Sequence, residues 1–139
     1  TILLEEETVG FRDGSFGSDQ DIIIASQINV SICFGASAMV LDALFEAAKI
    51  AIEPESRHLN DELRTLVYMV RCAFAHNPAK ACWEARGPFA RNISFNLGES
   101  DLSINLKSLH GTVFDYSHIG GFANWYKLKE MAVRVVNDS

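Results

Sequence analysis

The sequence predicts a mainly α fold, an antiparallel helical bundle with a small β-hairpin inserted before the C-terminal helix. Three observations carry this. Apolar residues recur three and four apart along two long segments, from Phe34 to Ile52 and from Leu59 to Phe74. The period changes to two between Ile93 and Leu106, on both sides of a glycine turn. A helical period returns after Gly120-Gly121. With 139 residues, 48% of them apolar, the chain is long enough for one core, so residues 1–139 are read as a single domain.

Taken in order, residues 1–17 read as a loosely organised lead-in, with turn chemistry at Gly10, Asp13, Gly14, Ser15 and Gly17. Ser18-Asp19-Gln20-Asp21 reads as a capping box, opening a first helix expected from Asp19 to Ile52. Its buried stripe is Phe34, Ala38, Leu41, Phe45, Ala48 and Ile52. Asp42, Glu46, Lys49 and Glu53 form a stripe expected to meet water. Ile22, Ile23, Ile24, Ile28, Val30 and Ile32 make its first half apolar nearly all round. Such a helix is either central in the fold or covered by a second copy, so a homodimer is expected. Gly35 is a point where it would bend.

Pro54 ends the first helix. A second is expected over Ser56–His76, with Leu59, Leu63, Leu66, Val67, Val70 and Phe74 inward, packed antiparallel on the first. Asn77-Pro78 ends it, and Pro78–Ala85 reads as a short helix capped by Asn77. Gly87-Pro88 is a break. Ile93, Phe95 and Leu97, then Leu102, Ile104 and Leu106, give the hairpin one apolar face, followed by a third extended piece over Thr112–Tyr116. Phe122, Trp125, Leu128, Ala132 and Val135 make the inward stripe of the last helix, with Lys127, Lys129, Glu130 and Arg134 outside.

Charge and cysteine usage bound the function. Lys plus Arg number 12 against 18 Asp plus Glu, a net charge of −6, so no strongly basic surface exists and duplex DNA is not an expected partner. The three cysteines, Cys33, Cys72 and Cys82, are odd in number and fit a reducing cytoplasm better than a disulfide framework. Thr1-Ile-Leu-Leu-Glu-Glu-Glu lacks the features of a signal peptide, and an opening on Thr rather than Met fits a processed or trimmed chain. The apolar stretch from Ile28 to Ile52 is long enough to span a bilayer. Asp42, Glu46 and Lys49 interrupt it, so no membrane is expected.

The chemistry-bearing stretch is Arg71-Cys72-Ala73-Phe74-Ala75-His76-Asn77, at the end of the second helix. Residues five apart lie about 140° apart around a regular helix. Arg71 and His76 would therefore converge only at a frayed end, or where two chains bring two such ends together. A guanidinium offers a fork of donors that matches phosphate oxygens. An imidazole exchanges a proton near neutral pH. The pair suits cleavage of an RNA phosphodiester through its own 2′-hydroxyl, with no cofactor and no metal required. DNA lacks that nucleophile.

Arg-x4-His at the end of the second of two long antiparallel helices resembles the HEPN superfamily (higher eukaryote and prokaryote nucleotide-binding domain), in which the Ala75-His76 pair is common. Phe114-Asp115-Tyr116-Ser117-His118-Ile119-Gly120-Gly121 is similar to a segment before the last helix in some bacterial and plasmid-borne HEPN-like proteins. The resemblance covers about residues 20–137. It implies a helical bundle, usually dimeric, with Arg71 and His76 as catalytic residues at the dimer cleft. It also implies a metal-independent endoribonuclease, often of toxin or phage-defence systems, with an antitoxin or other protein as a further partner. Two positions depart from the pattern. Cys72 follows the arginine where active members often carry Asn or Asp, leaving Asn77 as the supporting polar group. Pro78 stands where the toxin subgroup paired with nucleotidyltransferase antitoxins has Tyr. The alternative is a non-catalytic HEPN-like domain that binds a nucleotide, RNA or a protein partner.

Plainer readings apply elsewhere. Cys72 and Cys82 read as ordinary thiols rather than metal ligands with His76, since no fourth ligand is evident. Trp83, Trp125 and Tyr126 read as core, and His58, His110 and His118 as solvated. Gly120-Gly121 reads as a turn needing positive φ. Arg71 and His76 themselves could serve only to cap a helix C-terminus.

Overall fold

The computed structural model describes residues 2–4, 7–9 and 17–139. Within the lead-in, Ile2–Leu4 (β1) and Glu7–Val9 (β2) pair antiparallel. The expected turns at Gly10, Asp13, Gly14 and Ser15 lie outside the described residues. Helix α1 spans Asp19–Ala47, and its cap forms as the sequence indicates: the Ser18 hydroxyl oxygen accepts the Asp21 N–H at 3.2 Å, while the hydroxyl donates to the Asp21 carboxylate at 3.0 Å.

The helix ends before Pro54 is reached. Lys49 adopts a left-handed φ of 58°. Its N–H donates to the Glu46 carbonyl and that of Ile50 to the Phe45 carbonyl, both characteristic of a Schellman stop. Ile50 then folds back against the core, so Ala48 and Ile52 belong to the exit and not to the helix. Helix α1 continues through Gly35. Gly35 lies buried against Phe74, where an added Cβ would stand 2.7 Å from a ring carbon.

Helix α2 spans Leu59–Ala75 and runs antiparallel to α1: Phe34 meets Phe74, Asp42 meets Arg71 and Arg64, and Phe45 meets Arg64. Leu63, Leu66, Val67, Val70 and Phe74 are fully buried as expected, while Leu59 is exposed. Of the expected solvent stripe on α1, Glu46, Lys49 and Glu53 are exposed. Asp42 is not: it is 4% exposed and held in the core by ion pairs.

Pro78–Ala85 is not helical. Asn77 caps a single turn, its side-chain oxygen accepting the Ala79 and Lys80 N–H groups, and then the period becomes two. Ala81, Trp83 and Ala85 point inward, and the strand-like run 81–83 pairs with 111–114 through Trp83 N–H to Thr112 carbonyl and Phe114 N–H to Ala81 carbonyl. Only the start of the predicted extended piece Thr112–Tyr116 is thus extended, because Tyr116–Ile119 closes into a 3-10 turn.

The hairpin forms in the expected place. Asn92–Asn96 (β3) pairs antiparallel with Asp101–Asn105 (β4), and Ile93, Phe95, Leu102 and Ile104 are buried on one face. Leu106–Leu109 forms a short helix, α3. Gly120 and Gly121, at φ 78° and 93°, make the left-handed entry to α4, Phe122–Asn137, which buries Trp125, Leu128 and Ala132. Tyr126 is exposed on α4, not core. Phe34 is the centre of the aromatic core, in tilted or edge-on ring contact with Phe74, Phe114, Tyr116, Phe122 and Trp125.

The two halves of α1 differ. From Phe34 onward it has a buried side, but Ile22, Ile23, Ile24, Ile28, Val30 and Ile32 are 39–49% exposed. By length and composition α1 is apolar enough to cross a membrane. Its C-terminal half is committed to the core, however. The free part, Asp19–Ile32, is about 21 Å of helix, short of a hydrocarbon layer of about 30 Å.

Replacing Gly35 tests the helix contact. In an exposed helix Ala would be more favourable than Gly by about 1 kcal/mol. Here the Phe74 ring must shift, and overpacking costs about 1–3 kcal/mol. Gly35→Ala is expected to lower the urea midpoint; a raised midpoint would contradict the close approach.

Candidate functional site

Arg71 and His76 sit on the last two turns of α2 and at its C-cap, but they serve different surfaces. The helix stays regular to Ala75, and His76 keeps a helical backbone (φ −89°, ψ −35°), so the end does not fray as convergence within one chain would require. Arg71 points toward α1. Its Nε lies 3.5 Å from Asp42 Oδ2, and its side chain is 42% exposed.

Asp42 is the organiser here. Its other oxygen takes the guanidinium of Arg64, which is 2% exposed. Arg64 also donates from Nε to the Ile50 carbonyl at 3.2 Å and lies over the Phe45 ring. Arg64 and Arg71 are seven residues apart, two helical turns, and so reach the same partner from one face of α2. A side-chain hydrogen bond with Cys72 holds Arg71 further toward its charged form; partial burial opposes this, and the charges of Cys72, Asp42 and Tyr68 reinforce it. The Tyr68 hydroxyl is pushed up, first by its hydrogen bond with Cys72. Cys72 therefore belongs to the Arg71 side of the helix.

His76 opens on another feature, a shallow cleft of about 350 Å³ lined by Ala73, His76, Asn77, Lys80, Cys82 and Glu84. Arg71 does not line it. Its floor is tied down, since the Cys82 N–H donates to the Ala73 carbonyl and the Ser31 hydroxyl donates to the Pro78 carbonyl at 2.6 Å. The structure thus groups Arg71 with Cys72, and His76 with Asn77. Cys33, Cys72 and Cys82 are free thiols, and among the described residues no three His, Cys, Asp or Glu side chains are placed to hold a metal.

His118 departs from its expected solvated role. It is half-buried, and its Nδ1 accepts the Trp83 indole N–H at 3.0 Å and the Asp115 N–H at 3.1 Å, which joins the segment before α4 to the core. Trp83 and Trp125 are core, the latter donating to the Ser37 hydroxyl at 2.9 Å. His58 and His110 stand exposed at helix ends. Three residues of the site escape the motif: Asp42, Lys80 and Glu84. For Asp42 a signal existed, because it is four residues after Ala38 and three before Phe45, on the buried stripe as well as the charged one.

The ion cluster predicts unequal costs. Asp42→Ala strands the buried Arg64 charge and is expected to cost about 3–5 kcal/mol. Arg71→Ala removes a half-exposed partner and is expected to cost under about 1 kcal/mol. Urea denaturation measures both, and equal losses would contradict the arrangement. No family model, no curated protein and no solved structure matches the chain, so the functional argument rests on these residues.

Proposed function

We propose that the chain is a HEPN-type, metal-independent RNA endonuclease that works as a cytoplasmic homodimer. One observation carries the reading. A buried helix ends on an exposed imidazole and bears, five residues earlier, a half-exposed guanidinium whose direction is held by a buried carboxylate. In this reading a neutral His76 takes the proton of a ribose 2′-hydroxyl. That oxygen attacks the adjacent phosphorus, and the 5′-oxygen leaves with a proton from the partner subunit's His76. Arg71 stabilises charge on the phosphoryl oxygens. The products are a 2′,3′-cyclic phosphate and a 5′-hydroxyl.

A second copy is a requirement of this reading, because one chain leaves Arg71 outside the cleft of His76. The free half of α1 supports such a copy. Its exposed isoleucines and Val30 add to the exposed Met39, Val40 and Leu44 of the same helix, and clustered exposed apolar side chains mark interaction sites. A toxin or phage-defence role, with an antitoxin or other protein partner, belongs to the same reading.

The alternative, a non-catalytic HEPN-like domain binding a nucleotide, RNA or a protein, is favoured by a specific observation. Arg71 is already engaged by Asp42.

Two experiments test the proposal. Wild type is expected to cut single-stranded RNA in the presence of a chelator and leave the matching DNA intact. His76→Ala and Arg71→Ala are each expected to lower the rate about 10²–10⁴-fold. Equal cleavage by all three proteins defeats the assignment, and binding without cleavage selects the alternative. Ile24→Glu with Ile28→Glu is expected to halve the mass measured by light scattering; an unchanged dimer would place the interface elsewhere.

A further inference from the structure

The cleft of His76 holds a cation that the Arg-x4-His motif does not contain. Lys80 lines it, four residues beyond the imidazole. The turn that presents Lys80 is fixed in place. Asn77 Oδ1 accepts the Lys80 N–H at 3.1 Å and the Ala79 N–H at 3.2 Å. The chain before and after it is tied to α1 through Ser31 and to α2 through Ala73. Lys80 is therefore carried on backbone held in a set relation to the end of α2, where His76 stands.

The charge balance of the cleft is also informative. Among the described residues no carboxylate lies within ion-pair distance of Lys80, although Glu84 lines the same cleft. An ammonium not neutralised by a contact partner, beside an imidazole in a concave site, attracts an oxyanion. At about 350 Å³ the cleft is at the small end of sites for small ligands, room for about one nucleotide unit. A lysine suits this role as a point charge on a flexible stem, without the fixed fork of an arginine.

We propose that Lys80 is a phosphate-holding residue of the His76 cleft, and that its ligand is a phosphodiester of single-stranded RNA. This rests on the RNA reading above and adds to it the cation that shares a surface with His76 within one chain. Glu84, lining the same cleft, opposes an anionic ligand.

Binding of a fluorescently labelled single-stranded RNA oligonucleotide to the full chain, followed by anisotropy across a salt series, tests this. Each phosphate contact contributes about 0.7 to the slope of log affinity against log salt on a single strand. Lys80→Gln is expected to weaken binding several-fold and to reduce the slope by about 0.7. Lys80→Arg is expected to restore the slope, and Glu84→Gln to tighten binding. Both positions are exposed, so the urea midpoints should stay at the wild-type value. Wild-type affinity and slope in Lys80→Gln overturn the assignment while leaving the RNA reading intact. Weaker binding with an unchanged slope also overturns it, because the loss is then not that of a phosphate contact. Failure of the wild type to bind the RNA overturns the RNA reading and this proposal together.

Discussion

A carboxylate buried between two guanidinium groups sets the relation of the two long helices. The apolar stripes of α1 and α2 are similar along their length, and a slip of one turn, about 5.4 Å, would still bury Leu and Val against Phe and Ala. It would not keep Asp42 opposite Arg64. Arg64 has almost no contact with water, so losing its partner would leave a desolvated charge, which is among the most costly defects a core can carry. The contact of Gly35 with Phe74 pins the other end of the pair by shape. Charge at one end and close fit at the other leave one register, and that register decides which way Arg71 faces.

The same carboxylate divides the labour of the two arginines. Arg64 satisfies the burial requirement with Asp42 and the Ile50 carbonyl. Arg71 contributes little to stability because water already screens it. Arg71 is thus oriented by the core yet adds little to its stability. The exposed half of α1 has a related character. Among the described residues nothing covers Ile22, Ile23 and Ile24, which stay exposed on a helix whose other half is core.

Much of this architecture is legible in the sequence, and its misreadings have physical causes. The hairpin was readable because Ile93, Phe95, Leu102 and Ile104 alternate strictly and one face is buried. Helix α2 was readable because its stripe runs without interruption to Phe74. The end of α1 was not, because Lys49 takes the left-handed position where glycine is the usual signal. Pro78–Ala85 misled for a similar reason. Asn77 and Pro78 do start a turn, but pairing with the Gly111–Phe114 segment outweighs the local helical preference after one turn. Asp42 belonged to two stripes at once, and only the facing Arg64 and Arg71, seven residues apart on another helix, decide between them. The cleft of His76 was not legible because Cys82 and Glu84, which line it, lie on an extended run where the sequence predicts a helix.

The exit from α2 also bears on how the candidate site would be completed. A guanidinium and an imidazole five residues apart can meet through a frayed helix end or through a second chain. The regular backbone of α2 up to Ala75, and the helical φ and ψ of His76, remove the first route. The second depends on whether a copy seated on α1 could reach the cleft. The Ser31 hydroxyl joins the carbonyl of Pro78, on the turn between His76 and Lys80, to the stretch of α1 where its exposed apolar surface meets the core. The uncovered helix and the cleft are therefore neighbours, linked by a hydrogen bond. A chain that covered the isoleucines would arrive beside the cleft, and its own α2 would follow by two-fold symmetry. In the proposed dimer the exposed apolar surface of α1 and the cleft of His76 would then be adjoining parts of one assembly.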